Sequence, residues 1–236
     1  GVQTCALPIS SKASAGFSRC GPLYPENSMQ IAKPKRINGR VPVMSAEEAV
    51  TYIPDEATLC VLGAGGGILE ATKLIEALAE RYKTTQTPKN LGIISPTGLG
   101  DRAERGISPI AQEGLVKWAL CGHWGQSPRI SELAEQNKIS AWNYPQGVLT
   151  QMLRASAAHQ PGIISEIGLG TFVDPRNQGG KLNDVTKEDL IKLVNIEDKE
   201  YLYYKSVPPN VAFIRATTCD SEGYATFEDE VMYLDA

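Results

Sequence analysis

The chain has 236 residues, 42% hydrophobic and 21% charged, with a formal net charge of −4. This composition suits a globular fold, gives no indication of disorder for the bulk of the chain, and leaves room for one large domain or two small ones. The negative balance gives no global support to a nucleic-acid or anionic-membrane partner, and no run approaches the roughly 20 apolar residues of a membrane span, so neither is expected.

Residues 1–28 scatter Gly, Ser, Pro and Cys without period, and the opening GVQTCALPI resembles the conceptual translation of a sequencing-library adapter. They read as a disordered, non-native leader, with Met29 as the expected start. A basic stretch followed by a continuous apolar run, the mark of a secretory signal, does not occur there. Without the leader the cysteines are Cys60, Cys121 and Cys219. An odd number lacking CxxC spacing fits a reducing cytoplasm. Residues 29–44 hold Lys33, Lys35, Arg36 and Arg40 and read as a solvated arm, with the domain proper from 45 to 236.

Ser45 with Glu48 three residues later is a capping box, predicting a short helix to about Tyr52 that Pro54 ends. Residues 58–62 are the first buried strand, and 68–82 read as an amphipathic helix. Ile68, Ala71, Leu74, Ile75, Leu78, Ala79 and Tyr82 share one face, while Glu70, Lys73, Glu80 and Arg81 lie on or near the other. Strands follow at 91–94, 116–121 and 139–144. Ser108 with Pro109 and Ser127 with Pro128 open short helices between them, and a helix spans 148 to about 158. A strand at 163–167 precedes a polar, irregular stretch to about 199. Segments 201–207, 211–217 and 224–227 are β-rich, with a turn at Ser221, Glu222 and Gly223. The alternation predicts an α/β fold: an open, mostly parallel sheet with helices on both faces, finished by an antiparallel or edge portion.

The first strand stops on Gly63, Gly65, Gly66 and Gly67 and passes directly into the predicted helix. Glycines allow close backbone approach, and free N–H groups at a helix start suit a phosphate, a carboxylate or a developing oxyanion. A dinucleotide fingerprint is excluded by spacing, because its third glycine would fall on Ile68 or Glu70, and the second strand runs into Ser95 and Pro96 rather than an acidic residue. No Walker sequence is present. Ligands of such sheets lie beyond the carboxyl ends of the strands, here 63–67, 95–101, 122–125, 145–147 and 168–171, all rich in glycine or small polar residues.

Taken together, RINGRVPV (36–43), LGAGGGILEATKLI (62–75), SPTGLGDRAERGISP (95–109), NYPQGVLTQMLRA (143–155), GLGTFVDPR (168–176) and EYLYYKSVPPNVAFIRATTCDSEGYATFEDE (200–230) resemble the N-terminal, or α, half of family I acyl-CoA:carboxylate CoA-transferases. The likeness is strongest to the short-chain acetate/acetoacetate type. It implies the family's α-domain fold, incomplete at its C-terminus, and a glutamate nucleophile in the C-terminal, or β, half, outside this sequence. No catalytic residue is therefore expected here, nor a metal or redox cofactor, coenzyme A being a substrate. The implied partners are acyl-CoA, small carboxylates and a β half, in the same chain or as a separate subunit, within a homo-oligomer in the cytoplasm. By rim position and family likeness, the oxyanion and CoA-binding candidates are Gly63, Gly65, Gly66, Gly67, Thr97, Gly98, Gln146, Gly147, Gly168, Gly170 and Thr171. Thr72 and Lys73 stand where related α halves carry an asparagine credited with oxyanion contact, so backbone donors are the alternative.

Other polar residues point to lesser roles. Glu166 and Glu222 read as a rim salt-bridge residue and a turn residue. His123 and His159 lie apart without metal-ligand spacing, although His123 falls on the ligand rim. Trp118, Trp124 and Trp142 read as anchors, and Cys121 and Cys219 as small buried hydrophobes. A non-catalytic acyl-CoA or anion-binding subunit is the second reading.

Overall fold

The computed structural model describes residues 4–8, 34–64 and 68–229. In chain order these form β1 (Thr4–Pro8), α1 (Ala46–Val50), β2 (Thr58–Val61), α2 (Thr72–Thr85), β3 (Leu91–Ser95), a 3-10 turn (Ser108–Ile110) and β4 (Val116–Cys121). There follow α3 (Pro128–Glu135), β5 (Ser140–Asn143), α4 (Gln146–Ala157), β6 (Gly162–Ser165), β7 (Ile191–Ile196), β8 (Lys199–Lys205), β9 (Val211–Arg215), and a hairpin of β10 (Thr218–Cys219) and β11 (Ala225–Thr226). The capping box is present: Glu48 N–H donates to Ser45 Oγ at 3.2 Å, and Ser45 N–H to the Glu48 carboxylate at 2.9 Å.

The main sheet has the order β1-β9-β2-β3-β4-β5, parallel from β9 to β5 and antiparallel at β1. Alternate residues face opposite layers, as the two-residue strand period requires. Leu59, Val61, Ile93, Ala119, Ala141 and Phe213 pack under α1, α2 and α3. Leu120 and Trp142 pack against α4 and a three-stranded antiparallel sheet, β6-β8-β7, and Cys60, Ile94 and Ala212 lie on that same side. Helices thus cover both faces, as the alternation predicts. Among the described residues no helix is long and apolar enough to cross a membrane.

Five features depart from the sequence reading. Thr4–Pro8, read as disordered leader, pair with β9, whose open edge offers unpaired backbone groups. β9 itself is parallel and lies beside β2, so its carboxyl end joins those of the other parallel strands. The strand predicted at 163–167 does not extend the parallel sheet, because the edge of β5 is taken by residues 180–182: Asn143 N–H donates to Gly180 O at 2.8 Å and Leu182 N–H to Ala141 O at 3.0 Å. That strand pairs with β8 instead. β7, read as irregular, forms a hairpin with β8 across Glu197 and Asp198, both with positive φ (50° and 61°), the geometry of a tight two-residue turn. Finally, α2 begins at Thr72 rather than 68. Leu69 takes a left-handed φ of 61° and Ile68 is exposed, so the chain crosses from sheet to helix through a non-helical link.

Candidate functional site

The carboxyl ends of the parallel strands meet in one continuous rim. After β2, Gly63 is buried and its carbonyl accepts a hydrogen bond from Thr97 Oγ1, beyond β3. Ser95 Oγ donates to Thr97 O at 2.8 Å, and Gly122 N–H, beyond β4, donates to Ser95 O at 2.9 Å. Gly98 packs on His123, where a Cβ would lie 2.6 Å from the imidazole. Gly122 has no room for a side chain: a Cβ would lie 2.1 Å from Pro96 O and 2.7 Å from Cγ of Gln146, the first residue of α4. The Gln126 amide lies 3.3 Å from Gly98 O and 3.1 Å from Gly100 O, which assigns its nitrogen to both carbonyls. Small residues are therefore needed here for backbone crowding as well as for any ligand.

The helix that opens directly at a strand end is α4. Its N-cap, Pro145, provides no side-chain cap, and its first two residues, Gln146 and Gly147, are exposed. Their N–H groups are the free donors of a first helical turn. At β2 the arrangement differs from the one predicted. Ala64 N–H donates to Ile68 O at 2.8 Å, closing a turn whose tip, Gly65, Gly66 and Gly67, lies outside the described residues. The link 68–71 then separates this turn from the N-terminus of α2. Glu70, predicted on the polar face, is buried at 2% exposure, and its Oε1 accepts from Gly100 N–H at 2.6 Å. Burial pushes this carboxyl above the ordinary range, with the N–H groups of Gly100 and Gly106 pulling the other way. Thr72 Oγ1 bonds weakly to Glu70 O at 3.5 Å, and Lys73 is exposed.

Gly168, Gly170 and Thr171 do not sit at the end of a parallel strand. They belong to a loop that closes on Asp174, whose side chain is fully buried and accepts from Gly170 N–H (2.8 Å), Arg176 N–H (3.0 Å) and the Arg176 guanidinium (3.0 and 2.7 Å). Gly170 and Thr171 are exposed, and the loop reaches the rim at Gly180, beside Asn143 and Tyr144. The residues joined by direct contact are thus Gly63 with Thr97, Gly98 with His123, and Gly122 with Gln146. Gly63 and Gly98 lie at the buried base, and Gln146 and Gly147 on the accessible lip.

Of the lesser candidates, Glu166 pairs with Lys199 and Glu222 sits in the turn that Asp220 caps, the salt-bridge and turn placements expected of them. Trp118 and Trp142 stack edge to face at 6.3 Å, and Trp124 Nε1 donates to Trp142 O, so the three form a structural group. Burial pushes the Cys121 thiol up to about 12, whereas Cys219 is only half-buried. Among the described residues no group of three His, Cys, Asp or Glu could hold a metal ion. Sequence reasoning missed Glu70, Gln126 and Asp174; an acidic residue inside a glycine-rich, otherwise apolar stretch was the available signal for the first.

Residues 43–236 match the Coenzyme A transferase family. The acetate CoA-transferase YdiF of Escherichia coli (strain K12) is 84% identical over 208 residues, 88% of this chain and 39% of that protein. A caffeate CoA-transferase of Acetobacterium woodii is 43% identical over 189 residues, 79% of this chain and 36% of that protein. The crystal structure of the E. coli O157:H7 acyl-CoA transferase YdiF, a thioester complex with CoA, superposes with a TM-score of 0.85 at 84% identity, covering 87% of this chain and 40% of that one. The chain spans about two-fifths of the length of these relatives.

Proposed function

The chain belongs to the coenzyme A transferase family, and from that premise we propose that it is the N-terminal part of an acyl-CoA:carboxylate CoA-transferase acting on short-chain acyl-CoA and a free carboxylate of the acetate/acetoacetate class. The observation that carries this reading is the 84% identity over 208 residues to a protein named as an acetate CoA-transferase. The open, donor-bearing rim is compatible with it.

In this reading a glutamate carboxylate from the partnering C-terminal half attacks the thioester carbonyl. The tetrahedral oxyanion collapses, the CoA thiolate leaves, and an acyl-glutamyl anhydride remains. The thiolate then attacks the glutamyl carbonyl, releasing the acyl carboxylate and forming a glutamyl-CoA thioester, from which an acceptor carboxylate takes CoA by the reverse steps. Bonds and charges balance with carboxylates and thiolate alone. This chain supplies oxyanion donors: backbone N–H groups of the turn at Gly63, Gly65, Gly66 and Gly67, supported at the lip by those of Gln146 and Gly147. One preorganised donor contributes about 3 kcal/mol to the transition state. Thr97, Gly98, Gly168, Gly170 and Thr171 line the acyl and pantetheine path, in a homo-oligomeric cytoplasmic enzyme.

The test is complementation. The chain is mixed with a separately expressed C-terminal half, and CoA exchange between an acyl-CoA and labelled acetate is followed. Exchange that requires both halves supports the transferase, whereas tight CoA binding with no exchange favours a non-catalytic acyl-CoA-binding subunit.

A further inference from the structure

One aromatic side chain on the rim has no part in the chemistry above. His123 stands one residue beyond Gly122, at the carboxyl end of β4, and it is exposed. Among the described residues its ring has no hydrogen-bond or ion-pair partner. What holds the ring is shape. A Cβ on Gly98 would lie 2.6 Å from its Cδ2 and 3.2 Å from its Cγ, and a Cβ on Gly125 would lie 3.4 Å from its Nε2. The imidazole therefore stands in a slot between a glycine of the loop beyond β3 and one of its own loop. Neither glycine has a positive φ, so the backbone at Gly98 would accept a side chain, and it is the ring that leaves no room for one. Gly98 in turn is held from behind, its carbonyl 3.3 Å from the Gln126 amide nitrogen. On the other flank Gly122 packs against Gln146, where a Cβ would lie 2.7 Å from Cγ. The ring thus touches the buried base at Gly98 and follows directly on the residue that meets the open lip.

An imidazole in that place selects by bulk and by polarity. A short acyl group or carboxylate leaves its nitrogens in water, whereas a longer alkyl chain laid over the ring strips them of water without replacing the bonds. One methylene more or less in a pocket already changes a rate about 10- to 200-fold. We propose that His123 is a specificity-determining residue of the transfer site: slotted against Gly98, its imidazole forms a wall of the acyl path that admits short acyl groups and rejects longer alkyl chains. The wall rests on the CoA-transfer reading; the slot does not.

The slot is read on this chain, whose two histidines give separate imidazole signals in a proton–carbon NMR spectrum of histidine-labelled protein. Gly98→Ala is expected to shift the His123 signals and leave those of His159 in place; unmoved His123 signals overturn the slot. The wall is read in the enzyme assembled with its C-terminal half, as the ratio of kcat/KM for hexanoyl-CoA to kcat/KM for acetyl-CoA. His123→Ala, which removes bulk and nitrogens, is expected to raise this ratio about 100-fold, and His123→Leu, which removes the nitrogens alone, about tenfold. Gly98→Ala is expected to change the ratio about tenfold with the ring present and less than about threefold in a His123→Ala background. A ratio within about threefold of wild type in both His123 variants overturns the wall, and an equal effect of Gly98→Ala with and without the ring overturns its dependence on the slot. An inactive wild-type assembly overturns the transfer reading, while the imidazole signals still decide the slot.

Discussion

Two buried carboxylates, one at the rim and one in the peripheral loop, have opposite surroundings. Asp174 is closed in by the Arg176 guanidinium and by the N–H groups of Gly170 and Arg176, and these hold its carboxyl well below the usual carboxylate range. Glu70 has a short bond from Gly100 N–H, a further pull from Gly106 N–H and no ion-pair partner among the described residues, and burial drives its carboxyl upward. The peripheral loop spends its polar groups on itself and is self-supporting. The rim is tied together by backbone crowding and single bonds, and it keeps first-turn donors at Gln146 and Gly147 open. The ligand role proposed for the rim requires donors that the fold does not consume, and the two regions divide along that line.

The largest expected effect comes from a side chain at the rim's tightest point. Because a Cβ at Gly122 would meet Pro96 O at 2.1 Å, Gly122→Val is expected to cost about 3 kcal/mol in urea denaturation. An unchanged midpoint would mean the strand ends are loosely packed and the contrast with the periphery is lost. Asp174→Ala strips the acceptor from two backbone N–H groups and is expected to cost about 2 kcal/mol. Its faster deuterium exchange should be confined to 168–180, and spread into the rim would show that the two regions are not independent.

The pH dependence sharpens the comparison because the signs differ. The folded pKa of Asp174 is depressed, so its stabilisation is present above the ordinary 3.8 and lost as pH falls through the folded value; Asp174→Asn flattens the acid limb of the stability curve. The folded pKa of Glu70 is raised, so its contribution is complete below 4.5 and lost as pH rises through the folded value; Glu70→Gln gains on wild type from there toward neutral pH. Denaturant midpoints across this range should show the two slopes, and slopes of the same sign would contradict the assignment. The smallest effect is at the open lip. Nothing lies within 4 Å of a Cβ at Gly147, so Gly147→Ala is expected to raise stability by up to about 1 kcal/mol in a thermal melt. A loss would show that the lip is packed.

The parallel core was legible because its signals are local. Apolar runs bounded by glycine and proline gave β4 to the residue, and Ser45 with Glu48 marked the start of α1. What escaped depends on distant partners or on silent backbone geometry. The apolar period runs unbroken through Ile68 and Ala71, but Leu69 adopts a left-handed conformation, so the helix starts four residues late and Glu70 turns inward. The β7–β8 hairpin turns on Glu197 and Asp198, which lack the Asn-Gly signal. Whether β6 could join the main sheet was decided by residues 180–182 occupying the edge of β5, and β9 reaches β2 from about 150 residues along the chain, neither of which any local window contains. The rim candidates were read as one set, yet the fold places Gly168, Gly170 and Thr171 in a loop of a second sheet.

The most direct test of the account is a crystal structure of this chain assembled with its C-terminal half and an acyl-CoA. The account predicts the thioester carbonyl oxygen about 3 Å from backbone N–H groups of the 63–67 turn. A carbonyl lodged elsewhere, such as in the groove between α1 and α2 lined by Glu47, Lys73 and Arg81, would contradict it.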